Sequence, residues 1–150
     1  MQPLEQDVET LRNIPLFAGL PTARLKLIAY TAEVLHFEPG EVIVQQGDPA
    51  DAVFIIADGE AEVRLEALDG HTVRLGTMGR HSLLGEIAVL CNGRRTATVQ
   101  AKGRVVTLKI SAHVFLDLLR QSPDIGMQVM KIMAERLEKT TGIIRQYERQ

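Results

Sequence analysis

The chain has 150 residues, 45 % of them hydrophobic and 24 % charged, with a net charge of −2 at neutral pH. That length suits one domain able to bury about two-thirds of its unfolded surface without staples, and the mixed, near-neutral charge lays down no electrostatic footprint for DNA or RNA, so no direct nucleic-acid binding is expected. The single cysteine, Cys91, excludes an internal disulfide and fits a reducing, cytoplasmic setting; the acidic start MQPLEQDVET is unlike a secretory signal, and no run of about 18 apolar residues is present to span a membrane.

Leu4, Val8 and Leu11 recur at helical spacing, and Pro21 opens a second helical stretch in which Leu25, Ile28 and Ala32 share a face. From Glu33 to Ile110 the period changes. Short apolar runs now alternate with glycine turns about every ten residues, the rhythm of an antiparallel sandwich or barrel. In the clearest strand, residues 61–67, every second residue is apolar and those between are charged, so one face only is expected to be buried. Asp69-Gly70 then turns the chain into Thr72-Val73-Arg74-Leu75 as a hairpin partner. Ala97, Val99 and Ala101 alternate with polar neighbours, as do Val106, Leu108 and Ile110 with Thr107 and Lys109; these are the expected last strands.

After Ile110 the period returns to 3.6. Ser111 is placed to cap a helix carrying Val114, Phe115, Leu118 and Leu119, and Ser122-Pro123 to cap and open another that runs nearly to the C-terminus. Within that helix Met130, Met133, Leu137, Thr140, Ile144 and Tyr147 recur at alternating spacings of three and four, the a/d seam of a short coiled coil. A homodimer through the 123–149 helix is therefore expected. The whole reads as one α+β domain: helices over 1–32, an antiparallel, jelly-roll-like β-roll over 33–110, and helices over 111–150.

The segment GEIAVLCNGRRTA, residues 85–97, carries the chemistry. Gly85 and Glu86 stand at the mouth of a short apolar helical turn, and Arg95 follows nine residues after the carboxylate. Free N–H groups at a helix start, joined by a guanidinium, suit one phosphate. A carboxylate beside them repels that anion unless it has another task, and accepting a sugar hydroxyl is the usual one. The pair then describes a ribose phosphate in compact, cyclic form. Alone, Glu86 would be a residue favoured by the helix dipole and Arg95 a solvated strand-edge residue; the ordered set Gly85, Glu86, Ala88, Arg95 and Ala97 is what points to a ligand.

These residues resemble the phosphate-binding cassette of the cyclic nucleotide-binding domains found in bacterial catabolite activator proteins, cyclic-nucleotide-dependent kinases and cyclic-nucleotide-gated channels. That cassette runs Gly-Glu-(Ile/Leu)-Ala, a short apolar helix, then Arg-(Ala/Ser/Thr)-Ala, and Gly85, Glu86, Ile87, Ala88, Arg95, Thr96 and Ala97 match it in order. Pro39-Gly40-Glu41, Gln46-Gly47-Asp48 and Asp58-Gly59-Glu60 look like the family's turn signatures. Leu84 stands where the family often has an aromatic residue, and Arg94 where kinase-type members have proline. The resemblance implies a non-catalytic sensor whose regulatory ligand is cAMP by preference, with cGMP admitted because Thr96 can donate to a phosphate oxygen or to a guanine edge. Val63, Leu75 and Met78 are core candidates on periodicity; the resemblance places them on the apolar wall beside base and ribose. Arg136, Thr140 and Thr141 read by themselves as solvated helix positions. The resemblance makes them the Arg-Leu-x-x-Thr-(Ser/Thr) segment of a lid helix that reaches the purine, one hydroxyl from the same subunit and the next from its partner.

Two rivals follow from the same residues. A cupin-like metalloenzyme also uses a β-roll, but His36, His71, His81 and His113 show no metal-ligand spacing. Hydrolysis needs a metal cluster or a placed base and nucleophile, and nothing beside Glu86 and Arg95 supplies one, so neither a metal nor a further cofactor is expected. A catabolite-activator-type transcription regulator continues past its long helix into a helix-turn-helix. With no such segment after Gln150, the expectation is a chain that passes ligand state through its C-terminal helix to a dimer partner or another protein, or the ligand-sensing part of such a regulator without its DNA-binding domain.

Overall fold

The computed structural model describes residues 4–91 and 93–148, the side chains of residues 4–7 and 147 excepted. Helix α1 (Leu4–Arg12), a 3₁₀ turn at Pro15–Phe17 and helix α2 (Thr22–Thr31) precede the strands. Val8, Leu11, Leu25 and Ile28 are buried as their spacing predicts; the Leu4 side chain lies outside the described residues.

Eight strands follow: β1 (Glu33–Phe37), β2 (Val42–Val44), β3 (Ala52–Asp58), β4 (Ala61–Glu66), β5 (Thr72–Met78), β6 (Leu83–Leu84), β7 (Thr98–Ala101) and β8 (Val105–Ser111). They form two antiparallel four-stranded sheets, ordered β1-β8-β3-β6 and β2-β7-β4-β5, which face each other as a roll. Helix α3 (Glu86–Leu90) interrupts the strands between β6 and β7. Helices α4 (Ala112–Gln121) and α5 (Pro123–Glu148) close the chain. The Ser111 hydroxyl accepts from the Val114 N–H at 3.2 Å, the expected N-cap of α4.

The core has two parts on either side of one sheet. Val53, Ile55 and Ile110 pack with Phe17, Leu25, Ile28, Phe115 and Ile125 of the helices, whereas Ala52, Phe54 and Ile56 pack inside the roll with Leu84, Val99 and Ala101. Strand β3 is thus buried on both faces, and its sequence AVFII is an unbroken apolar run for that reason.

Two strand expectations are corrected by this layering. In β8 the polar positions do not all face water: Thr107 is fully buried, because β8 lies between β1 and β3 with helices on one side and the other sheet on the other. Its hydroxyl has no partner among the described residues. In β4 the apolar face is only half covered, since Val63 and Leu65 line an open cavity in place of a filled core.

The α5 seam also splits. Met130, Leu137 and Ile144 face outward, but Met133 packs against the helical core and Thr140 turns toward the roll. The reason is geometric. Ile125, Val129 and Met133 lie on the face that docks α5 onto the core, and continuing that face places Arg136 and Thr140 over the roll. The outward seam at three-four spacing is Met127, Met130, Ala134, Leu137, Thr141 and Ile144, all exposed. The Tyr147 side chain lies outside the described residues.

Candidate functional site: a cavity between the roll and its lid helix

A cavity of about 680 Å³ opens between the second sheet, α3 and α5. Its volume is that of a small-molecule site. All the residues expected at a ligand line it except Thr141, which sits on the outward flank of α5.

Gly85 begins the polar end. It holds φ +88 as the N-cap of α3, a conformation that costs glycine nothing and other residues strain. A Cβ there would lie 2.3 Å from Arg95 Nη1, so the missing side chain also makes room for the guanidinium. The first N–H groups of a helix have no partner within it, and Gly85, Glu86, Ile87 and Ala88 line the cavity together with Arg95.

Arg95 reaches this point because its loop is tied down. Its N–H donates to the Asp48 carbonyl at 2.8 Å and its carbonyl accepts from Gly47 N–H at 2.9 Å, while Arg94 Nη1 donates to the Gly47 carbonyl at 2.9 Å. The Gln46-Gly47-Asp48 turn therefore holds the cassette from behind. The Arg95 side chain is 6 % exposed, with Nη2 donating to the Ala52 carbonyl at 2.7 Å, Nη1 to the Gly85 carbonyl at 3.2 Å, and the guanidinium 5.7 Å from the Phe54 ring centroid. Burial pulls its pKa below the ordinary arginine value, while the negative charges of Asp51, Asp48 and Glu86 push the other way. A buried cation held by two neutral carbonyls lacks a full counter-charge, which suits it to an anion.

Glu86 is 1 % exposed and is reached from α5. Arg136 Nη1 donates to its Oε1 at 2.5 Å, and Arg136 Nη2 donates to the Leu83 carbonyl. This ion pair joins residues fifty positions apart and ties α5 to the mouth of α3. It also offsets the carboxylate charge that would repel an anion at Arg95. An ionised carboxylate accepts several hydrogen bonds, so Arg136 leaves capacity for a ligand hydroxyl. Away from these groups the cavity becomes apolar, with Val63, Leu75 and Met78 on the sheet side and Leu137 at the rim.

A family profile described as the cyclic nucleotide-binding domain matches residues 34–122. The chain belongs to the cyclic nucleotide-binding domain family. A cAMP-dependent protein kinase regulatory subunit of Mycosarcoma maydis is 37 % identical over 116 residues, 73 % of this chain and 22 % of that protein. Among solved structures, the catabolite activator protein of Thermus thermophilus superposes with a TM-score of 0.74 at 25 % identity, over 89 % of this chain and 63 % of the other. The regulatory subunit of a cAMP-independent protein kinase A from Trypanosoma cruzi, bound to guanosine, gives 0.78 at 25 % identity over 97 % and 50 %. The chain spans between 7 % and 31 % of the length of the first four curated relatives it matches. Among the described residues of this cyclic nucleotide-binding domain, no helix is long and apolar enough to cross a membrane.

Several groups that shape the site have no local motif. The Ala52 and Leu83 carbonyls are backbone atoms that any sequence would carry. Gly76, inside β5, was the one available signal, since glycine in a strand interior often marks a bulge or close approach; the register of β4 against β5 shifts beside it, between Val63 and Arg64.

Proposed function

We propose that the cavity binds a 3′,5′-cyclic purine nucleotide and that the domain acts as a non-catalytic sensor. The observation that carries this reading is the pair of buried opposite charges in one cavity: Arg95 at the mouth of α3, lacking a full counter-charge, and Glu86 beside it with acceptor capacity to spare. The cyclic phosphate sits against Arg95 and the α3 N–H groups, and the ribose 2′-hydroxyl donates to Glu86. Ile87, Ala88 and Thr96 complete the phosphate end, and the base lies along Val63, Leu75 and Met78 under Arg136 and Thr140 of the lid.

Ligand state leaves the site through α5. This helix contacts Glu86 on its inner face and carries the exposed Met127, Met130, Leu137 and Ile144 on its outer one. Two copies pairing along that outer face would bury it together with Thr141, which is exposed there. A cytoplasmic homodimer that reports nucleotide to an effector is the arrangement we infer, whether the effector is another protein or a DNA-binding domain.

Thermal unfolding with and without nucleotide tests the ligand class. At one hundred times its dissociation constant, a cyclic nucleotide stabilises the fold by about 2.7 kcal/mol, raising Tm by roughly 5–10 °C. The corresponding 5′-monophosphates, which are open-chain and dianionic, are expected to give a much smaller shift. Equal shifts from cyclic and open nucleotides, or none from either, contradict the reading.

A further inference from the structure

Arg94 and Arg95 are neighbours in sequence and face opposite ways. Residues 93–97, between α3 and β7, belong to no helix or strand, and the regular feature in them is an antiparallel bridge between Pro49 and Arg94. Side chains alternate along extended chain, so Arg95 lines the cavity while Arg94, exposed, stays outside that lining.

Main-chain bonds on either side of Arg94 build the bridge. The Ala50 N–H donates to the Gly93 carbonyl at 3.3 Å and the Arg95 N–H to the Asp48 carbonyl at 2.8 Å, whereas the Arg94 N–H donates to nothing among the described residues. Its guanidinium adds a tie of its own. Nη1 donates to the carbonyl of Gly47, the residue whose N–H donates to the Arg95 carbonyl, so Gly47 is gripped from both sides by adjacent arginines. That carbonyl is the one partner of the Arg94 side chain among the described residues, and it lies away from the cavity. A loop that includes Gly93 has many conformations open to it, and ordering them costs entropy. Only the arrangement that sets Arg95 beside Gly85 is ready for a phosphate, and apparent affinity falls with the fraction of molecules that hold it.

We propose that Arg94 is a positioning residue for the ligand: by clamping Gly47 it pre-sets the loop that presents Arg95, and so raises affinity without touching the nucleotide. This role rests on the cyclic nucleotide reading of the cavity. One exposed hydrogen bond of this kind contributes about 3- to 10-fold. Arg94 holds a negative φ and its N–H is unengaged, so proline at this position breaks no hydrogen bond of the main chain and restricts the same loop through its ring.

Calorimetric titration with cAMP and with cGMP, at low and high ionic strength, tests this on the wild type, Arg94→Ala, Arg94→Lys and Arg94→Pro, with thermal unfolding of each free protein alongside. Arg94→Ala is expected to unfold with the wild type and to lose about 3- to 10-fold in affinity at both ionic strengths. Arg94→Lys, which keeps a donor for the Gly47 carbonyl, recovers most of the loss, and Arg94→Pro recovers it with neither donor nor charge. In NMR spectra of the free protein the Arg95 Nε–H resonance broadens in Arg94→Ala and is restored in Arg94→Lys. Wild-type affinity in Arg94→Ala, or an Arg95 resonance that this substitution leaves unchanged, overturns the role. A loss that vanishes at high ionic strength, where an effect of bare charge is screened, overturns it as well, as does a stably folded Arg94→Pro protein that binds as weakly as Arg94→Ala. A wild type that binds neither nucleotide overturns the reading of the cavity and this role with it.

Discussion

Replacing Arg95 by alanine separates two quantities that the structure ties to one side chain. The guanidinium is nearly buried and donates to the Ala52 and Gly85 carbonyls. Its removal orphans these acceptors, at a cost of about 1–3 kcal/mol for a buried group that finds no replacement. Relief of the desolvated charge works in the opposite direction, so the net loss of folding stability is expected near the bottom of that range. Ligand binding has no such compensation. Leaving a bound phosphate without its buried partner costs about 2–5 kcal/mol, or roughly 30-fold to several thousandfold in dissociation constant. Urea unfolding of the free protein and calorimetric titration with cyclic nucleotide, run on the same preparations, therefore diverge: a modest shift in the first and a collapse in the second. Arg95→Lys restores the charge but not the planar fork that spans two carbonyls, so it recovers part of the affinity only. Unchanged affinity in a folded Arg95→Ala protein refutes the phosphate assignment.

Glu86→Gln keeps the shape of the acceptor and loses its charge. A hydrogen bond to a charged group contributes about 1.5–3 kcal/mol, so this variant is expected to lose less affinity than Arg95→Ala. In titrations with 2′-deoxy cyclic nucleotide the wild type weakens and Glu86→Gln changes little; equal losses in both argue against a ribose contact. Gly85→Ala places a Cβ 2.3 Å from Arg95 Nη1 on a backbone at φ +88, and is expected to destabilise by about 1–3 kcal/mol of backbone strain and to displace the guanidinium, measurable as a fall in both unfolding midpoint and affinity. Met130→Glu combined with Ile144→Glu leaves the cavity lining intact and charges the outer seam of α5. Light scattering is expected to report dimers in the wild type and monomers in the variant, with weaker nucleotide binding in the monomer; a wild-type monomer disproves pairing through α5.

The cassette was legible because each of its residues has a positional reason: a glycine for φ +88, a carboxylate at a helix start, an arginine at fixed distance. Ser111 and the amphipathic run after it located α4 in the same way. What sequence periodicity misses is layering. Thr107 alternates with apolar neighbours and reads as solvent-facing, yet a central strand covered on both faces buries it. Periodicity in α5 overlays two apolar faces, one docking Ile125, Val129 and Met133 onto the core and one left outward at Met130, Leu137 and Ile144, so a single seam drawn through both mixes them. Partnership across the fold is equally hidden. Arg136 is recognisable as a lid residue only by resemblance, and its bond to Glu86 depends on where the roll places a residue fifty positions earlier.

The central claim is that one cyclic phosphate meets Arg95 while its ribose meets Glu86. Calorimetric titration of the unmodified protein with a 3′,5′-cyclic purine nucleotide, set against the matching 5′-monophosphate, addresses it most directly. The account predicts saturable binding of one cyclic nucleotide per chain and markedly weaker binding of the open form. Equal affinity for the two forms, or no binding of the cyclic one, would contradict it.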